Sequence, residues 1–263
     1  MDSALPGDRA RSKLAGTPFS QVEWVYETGS TNTDLLARAA AGHAEGLVRA
    51  TEHQTAGKGT RGRSWVDSPG AQLMVSVLLR PTVPPSRLGR LTMAWSVAAA
   101  EACLEVAGVR VGLKWPNDVY DGTGSRKVAG VLAESQIGPT GSVDAMVIGM
   151  GMNVNGGVPL GLAVQGVSLG ELAGAAVDRE DLLVSLLSHF DPLYRRVEDG
   201  EVPARYRQWS ATIGRHVRVE QPDGPLLGVA RNITDDGHLV VDDGEDEHTI
   251  AAADVVHLRL ADS

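Results

Sequence analysis

The sequence predicts an α/β (α+β) domain built on a mixed sheet, followed by a small all-β barrel. Three observations carry this. Strand-like and helix-like segments alternate from about residue 22 to residue 212. From Ile213 onward only short β segments remain, and Asp223-Gly224, Asp236-Gly237 and Asp243-Gly244 supply the turns between them. The 263 residues, 43% of them hydrophobic with a single cysteine, provide a large core and no disulfide framework. The expected division is a flexible tail over residues 1–18, a main domain over 19–212 and the barrel over 213–263.

Taken in order, Val22–Tyr26 reads as a strand. Gly29-Ser30-Thr31-Asn32 is a cluster of turn and cap residues opening a helix through Leu35 to Ala40, with Gly42 as its stop. Leu47–Ala50 reads as a strand, Gln54–Gly70 as a long polar, glycine-rich loop, and Leu73–Leu79 as a strong strand closed by Pro81, Pro84 and Pro85. Leu88–Val106 is alanine-rich with helical spacing and ends at Gly108; Cys103 within it reads as a small buried hydrophobe. Strand signals return at Val111–Lys114, Val128–Ser135 and Val143–Asn153. Leu182, Leu183, Leu186, Leu187, Phe190, Leu193, Tyr194 and Val197 recur at helical spacing, with Asp178 as N-cap and Gly200 as the stop. The expected barrel strands are Val217–Val219, Leu227–Ile233, Leu239–Val241, Thr249–Ile250 and Val255–Leu258.

Charge narrows the function. The net charge is −9, and the segment from Ile213 to Ser263 holds four basic and eleven acidic residues, against −2 net for the first 212. Such a tail repels polyphosphate backbones, so no nucleic-acid partner is expected. No apolar run reaches the ~18 residues of a membrane span, and residues 1–17 contain no apolar signal core. A cytoplasmic protein without a membrane partner is the expectation.

Gly57-Lys58-Gly59-Thr60-Arg61-Gly62-Arg63-Ser64 concentrates three cations in six residues and fits two phosphate-binding patterns. Gly57, Gly59 and Gly62 match G-x-G-x-x-G, and Gly57–Ser64 nearly matches the P-loop with Arg63 in place of lysine. Both motifs need a strand directly before and a helix directly after. Glu52–Thr55 is polar and Pro69 blocks a following helix, so context rejects both. What remains is a cationic loop whose backbone N–H groups can close over a polyanion. Gly166 to Gly170 around Ser168 lacks the strand a nucleophile elbow needs, and the seven histidines show no metal-ligand spacing.

A second constellation is Lys114-Trp115-Pro116-Asn117-Asp118. Pro116 withholds a ladder donor, so the chain is expected to leave the sheet there and to present an amide and a carboxylate at a strand end. Lys127 opens the next apolar strand, where Gly130 allows close approach of a ligand. Gly149, Gly151 and Asn153 interrupt and end another.

In order and spacing, Ser30-Thr31-Asn32, Gln54–Trp65, Lys114–Asp118, Lys127–Gly130 and Gly149–Asn153 resemble the biotin protein ligases over roughly residues 22–260. The resemblance implies a catalytic domain akin to class II aminoacyl-tRNA synthetases and an SH3-like C-terminal barrel. It implies an enzyme that activates biotin with MgATP and then biotinylates one lysine of a carrier domain. The partners would be biotin-dependent carboxylases, acyl-CoA carboxylases and pyruvate carboxylase among them. Carried over by position, Ser30, Thr31, Asn32 and Gln54 would bind the ureido ring. Gly57, Lys58, Gly59, Thr60 and Gly130 would complete the biotin site, and Lys127 would hold the carboxylate and the α-phosphate. Arg61, Arg63, Trp65, Lys114, Asn117 and Asn153 would surround ATP, with Lys127, Arg63 and Arg61 catalytic and Asp118 near Mg²⁺. The family usually has arginine where this chain has Thr60. The family's N-terminal repressor module has no room before Ser30, so a monofunctional ligase, monomeric or weakly dimeric, is expected. A lipoate ligase and a non-catalytic biotin sensor are the rival readings.

Overall fold

The computed structural model describes residues 6–139, 141–156, 165–221, 224–251 and 254–257. Its central element is a seven-stranded sheet ordered β1-β2-β3-β7-β6-β5-β4, formed by β1 (Val22–Thr28), β2 (Val48–Gln54), β3 (Gln72–Leu79), β4 (Gly112–Lys114), β5 (Asp118–Tyr120), β6 (Lys127–Ile137) and β7 (Val143–Asn153). β1 and β2 run parallel and every other neighbouring pair is antiparallel, so the sheet is mixed as expected.

Residue alternation explains the layers. On β3, Leu73, Val75, Val77 and Leu79 face the main core, as do Met146, Ile148, Met150 and Met152 of β7. The helices α3 (Leu88–Ala107) and α5 (Arg179–Arg195) cover that face, with Trp95 edge-on to Phe190 at 4.9 Å between ring centroids. On the other face α2 (Thr31–Ala40) buries Leu35 and Ala39 against Leu78, Ala145 and Val147. α2 covers only part of that face. Gly149, Gly151, Gly130 and Leu132 lie beyond it, and this uncovered floor becomes the site.

Several expectations change. Residues 6–18, expected as a flexible tail, carry α1 (Asp8–Lys13). Ala10 and Leu14, four apart on one helical face, are buried with Phe19. Glu180 Oε1 accepts from the backbone N–H groups of Gly7 and Ala10 at 3.0 and 2.7 Å, which ties α1 to the first turn of α5. Asp178 caps α5 as expected, accepting from Glu180 N and Asp181 N. That helix stops at Arg195, however, and Gly200 precedes a further helix, α6 (Glu201–Trp209), rather than ending α5. Ser168 is the buried N-cap of the short α4 (Leu169–Ala173), a structural role for the Gly-x-Ser-x-Gly match. The expected exit at Pro116 is instead a hairpin: after a cis Trp115–Pro116 bond the chain returns as β5, pairing Lys114 with Asp118.

The C-terminal strands β8 (His216–Glu220), β9 (Leu226–Ile233), β10 (Leu239–Asp242), β11 (Glu247–Ile250) and β12 (Asp254–His257) form a separate antiparallel sheet ordered β11-β10-β9-β8-β12. Asp223 of the expected turn and Leu258 of the expected last strand lie outside the described residues. The small sheet is held to the main domain by Trp115 Nε1 donating to Gly237 O at 2.8 Å and by Arg90 paired with Asp236 at 3.2 Å.

His257 adds a titrating contact at this junction, its Nε2 lying 3.1 Å from Thr212 Oγ1, which also accepts from Trp115 N. Burial first, then the positive charges of Lys114 and Arg215, pushes the imidazole from 6.5 down to about 4. The fold keeps it neutral in a range where the unfolded chain protonates, so its contribution is complete above 6.5 and is lost as pH falls towards 4. The urea midpoint is therefore expected to decline over that window, and His257→Gln to flatten that part of the profile.

Candidate active site

A cavity of about 180 Å³ opens over the uncovered floor and is lined by residues from α2, the glycine loop, β6 and β7. Its polar end begins at the N-cap of α2, where Ser30, Thr31 and Asn32 are each only 4% exposed. Gln54, at the end of β2, accepts with Oε1 from Thr31 N at 2.9 Å, and Thr31 Oγ1 lies 3.2 Å from the same oxygen. Beneath them Ser76 Oγ lies 2.7 Å from Thr31 Oγ1 and 2.6 Å from Asn32 Oδ1. Asn32 Nδ2 donates to Glu134 Oε2 at 2.8 Å and to Leu132 O at 3.2 Å.

Missing side chains make the room. A Cβ on Gly149 would stand 2.0 Å from Asn32 Oδ1 and 2.8 Å from Ser76 Oγ. A Cβ on Gly151 would stand 2.4 Å from Cε2 of Trp65, and one on Gly130 would meet Lys127 Nζ at 2.9 Å. Register places Gly130 opposite Gly151, and Gly149 opposite both Ser76 and Leu132. The glycines thus form one bare patch across β6 and β7.

The charged end is built by Lys127 and the loop. Lys127 Nζ lies 2.6 Å from Asp118 Oδ1 and 5.7 Å from the centre of the Trp65 ring. Lys58, Gly59, Thr60, Arg63 and Trp65 line the same cavity, as do Lys127, Asn117 and Asn153. Arg63 and Lys127 therefore share one chamber. The Arg63 guanidinium donates to Thr60 O and Thr60 Oγ1 at 3.3 and 3.1 Å. Asn117 Nδ2 donates to Val131 O, and Asn153 Nδ2 to Lys127 O. Trp65 is fixed at its edge by Nε1 donating to Gln72 Oε1 at 2.9 Å and at its backbone by a bond from its N–H to Gly57 O.

Four sequence-selected residues lie off this lining. Arg61, with φ 56°, lines the adjoining cavity that reaches Trp115, Pro116 and Gly237. Lys114 places its ammonium 4.7 Å from the centre of the Tyr120 ring. Burial, reinforced by the Asp118 carboxylate, raises the Tyr120 hydroxyl above its usual range. Asp118 acts here as the counter-ion of Lys127. Gly57 supports the loop: its backbone is so close to Trp65 O that a Cβ would stand 2.6 Å away.

The loop itself corrects one step of the sequence argument. β2 runs through the polar residues Glu52, His53 and Gln54, so a strand does precede the glycine loop directly. The phosphate-loop patterns still fail on their second requirement. Thr60–Gly62 forms only a single 3₁₀ turn, and the next long element is β3. The polar strand end has a purpose: Asp67, at the far side of the loop, accepts from Gln54 N at 2.7 Å and lies 2.6 Å from His53 Nδ1. This joins the two ends of the loop.

Among the described residues, no group of three or more His, Cys, Asp or Glu side chains is placed to hold a metal ion. Magnesium is commonly held by one or two carboxylates together with substrate phosphates. Asp118, paired with Lys127 Nζ at 2.6 Å, is the carboxylate that would meet an ion carried in by a nucleotide.

Sequence and structure comparisons agree with this geometry. The pattern of the biotin/lipoate A/B protein ligase family matches residues 24–153, and that of the biotin protein ligase C-terminal domain matches residues 212–258. A biotin–[acetyl-CoA-carboxylase] ligase of Mycobacterium tuberculosis is 40% identical over 253 residues, covering 93% of this chain and 92% of the relative. One of Paracoccus denitrificans is 32% identical and spans 87% of this chain and 97% of its own. Among solved structures, the biotin protein ligase of Aquifex aeolicus in complex with biotin and ATP superposes with a TM-score of 0.80, at 25% identity over 91% of this chain and all of that one. The residues selected from the sequence, the mixed sheet that gathers most of them and the near full-length likeness agree: the chain belongs to the biotin/lipoate A/B protein ligase family.

Proposed function

We propose that this protein is an ATP-dependent biotin protein ligase. The biotin carboxylate attacks the α-phosphorus of ATP, pyrophosphate leaves and biotinyl-5′-AMP forms. The amine of a carrier-domain lysine then attacks the acyl carbon, and AMP leaves with the former acyl–phosphate oxygen. One observation carries this reading: a neutral, hydrogen-bonding end at Ser30–Asn32 and Gln54 and a cationic end at Lys127 and Arg63 belong to one cavity. A ligand with a urea at one end and an acid at the other suits that polarity. The names of the near full-length relatives support the same substrate and partner.

The residues divide the work. Thr31 and Gln54 hold the ring, with Ser30 and Asn32 beside them. Lys127 meets the carboxylate and α-phosphate where charge accumulates, and Arg63 stabilises the phosphate oxygens. Lys58, Gly59 and Thr60 cover the junction. Trp65, Asn117 and Asn153 flank the nucleotide, with Lys114 behind the site. Arg61 faces the adjoining cavity and would meet the phosphates from that side. Asp118 holds Lys127 in place and adds a carboxylate for nucleotide-borne Mg²⁺. The reading includes acyl-CoA carboxylases and pyruvate carboxylase as partners, a cytoplasmic location and a monomer or weak homodimer. No helix among the described residues is long and apolar enough to cross a membrane.

The deciding experiment is pyrophosphate–ATP exchange with biotin or lipoate, followed by transfer of the labelled acid to a carrier domain. Exchange and transfer with biotin alone are expected; a preference for lipoate, or binding without exchange, overturns the proposal. Closure of the loop over the adenylate would shield the mixed anhydride from water. Cleavage within Gln54–Trp65 by a protease is therefore expected to slow when biotin and ATP are both added, and an unchanged rate counts against closure.

A further inference from the structure

Beneath the cavity, two side chains that do not line it complete a directed relay of hydrogen bonds. The Glu134 carboxylate and the Leu132 carbonyl are both acceptors, and both face Asn32 Nδ2. They fix the amide: its NH₂ points to β6 and its oxygen points to β3. That oxygen can only accept, and Ser76 Oγ is 2.6 Å away, so the single Ser76 proton goes to it. Ser76 Oγ is left with lone pairs towards Thr31 Oγ1 at 2.7 Å, so Thr31 gives its own proton inward to this nearer oxygen rather than to Gln54 Oε1 at 3.2 Å. Gln54 is fixed separately, because Thr31 N–H can only donate and so takes the Gln54 oxygen. Its NH₂ remains for the cavity that Gln54 lines.

We infer that Glu134 and Ser76 are positioning residues that impose this polarity on the cavity: Thr31 Oγ1 offers an acceptor, and Gln54 offers a donor. An acceptor beside a donor complements the adjacent N–H and C=O of a cyclic urea. The inference rests on the biotin reading and extends it to two residues that touch no ligand. Ser76 is fully buried, and Gly149 opposite it leaves the space in which Ser76 Oγ and Asn32 Oδ1 meet. A relay of this kind is costly to break, since each interrupted link leaves a buried polar atom unpaired.

The test compares wild type, Ser76→Ala, Glu134→Leu and Glu134→Gln in biotin-dependent pyrophosphate exchange, with folding checked by circular dichroism. Ser76→Ala and Glu134→Leu are expected to raise KM for biotin by roughly tenfold. KM for ATP and kcat at saturating biotin should stay within about twofold. Glu134→Gln keeps an acceptor oxygen and should recover most of the loss. A biotin analogue methylated on a ring nitrogen supplies the second readout. Wild type should reject it, and Ser76→Ala should discriminate against it less, because Thr31 is then free to reverse its proton. Unchanged KM for biotin in both truncations, equal rises for biotin and ATP, or unchanged discrimination overturns the inference. Absence of biotin-dependent exchange in the wild type instead overturns the biotin reading itself.

Discussion

Lys127→Ala is expected to slow biotin-dependent pyrophosphate exchange on the order of 10²–10³-fold, the cost of removing one preorganised charge from a site where charge develops. The geometry explains why a single residue carries so much. Lys127 is the first residue of β6, and its backbone is bonded on both sides, with its N–H donating to Gln165 O and its carbonyl accepting from Val167 N. Asp118 then holds the ammonium at 2.6 Å beneath the Trp65 ring. Lys127→Arg should restore little, because the bare Gly130 surface accommodates a compact ammonium and not a planar fork. The effect should appear in kcat as well as in KM, since the interaction strengthens in the transition state. Exchange at the wild-type rate in Lys127→Ala removes the lysine from the chemistry.

Gly149→Ala is expected to be the most damaging single methyl in the site. The added carbon would overlap Asn32 Oδ1 at 2.0 Å, and Ser76 Oγ and the β3 register leave that amide no lateral escape. Overpacking of this kind costs about 1–3 kcal/mol. If that cost falls on the bound state, it weakens biotin by roughly five- to 150-fold. Calorimetric titration should show the loss with little change in ATP affinity, and equal affinities for both proteins would mean that the pocket relaxes. Gly108→Ala provides the contrast. Its Cβ would meet nothing within 4 Å, so the change strains only the left-handed helix end and should leave ligand binding intact.

Much of this site was legible before the structure because its residues cluster at the ends of strongly patterned strands. The strand Val143–Asn153 is legible to the residue from its apolar run and the amide that ends it. What escaped was determined by partners far along the chain. Ser76 reads as one hydroxyl in an apolar strand, and only the pairing of β3 with β7 and the approach of α2 give it a role. Glu134 lies 102 residues from Asn32, so no local pattern links them. The polar run Glu52–Gln54 hid a strand because its side chains serve distant groups rather than the core. Glu52 accepts from Trp24 Nε1 and from Arg179. Lys114 was selected by its motif, yet the hairpin turns its ammonium onto Tyr120.

The docking of α1 bears on how the protein should be expressed. Glu180 grips the first turn of α1, and the neighbouring Arg179 reaches Gln72 O and Glu52. Gln72 in turn steadies the indole of Trp65. Trimming the gene to begin at residue 19 would strip Glu180 of its two amide donors and loosen the cavity wall two contacts away. An affinity tag belongs ahead of Pro6, where it leaves this buttress whole.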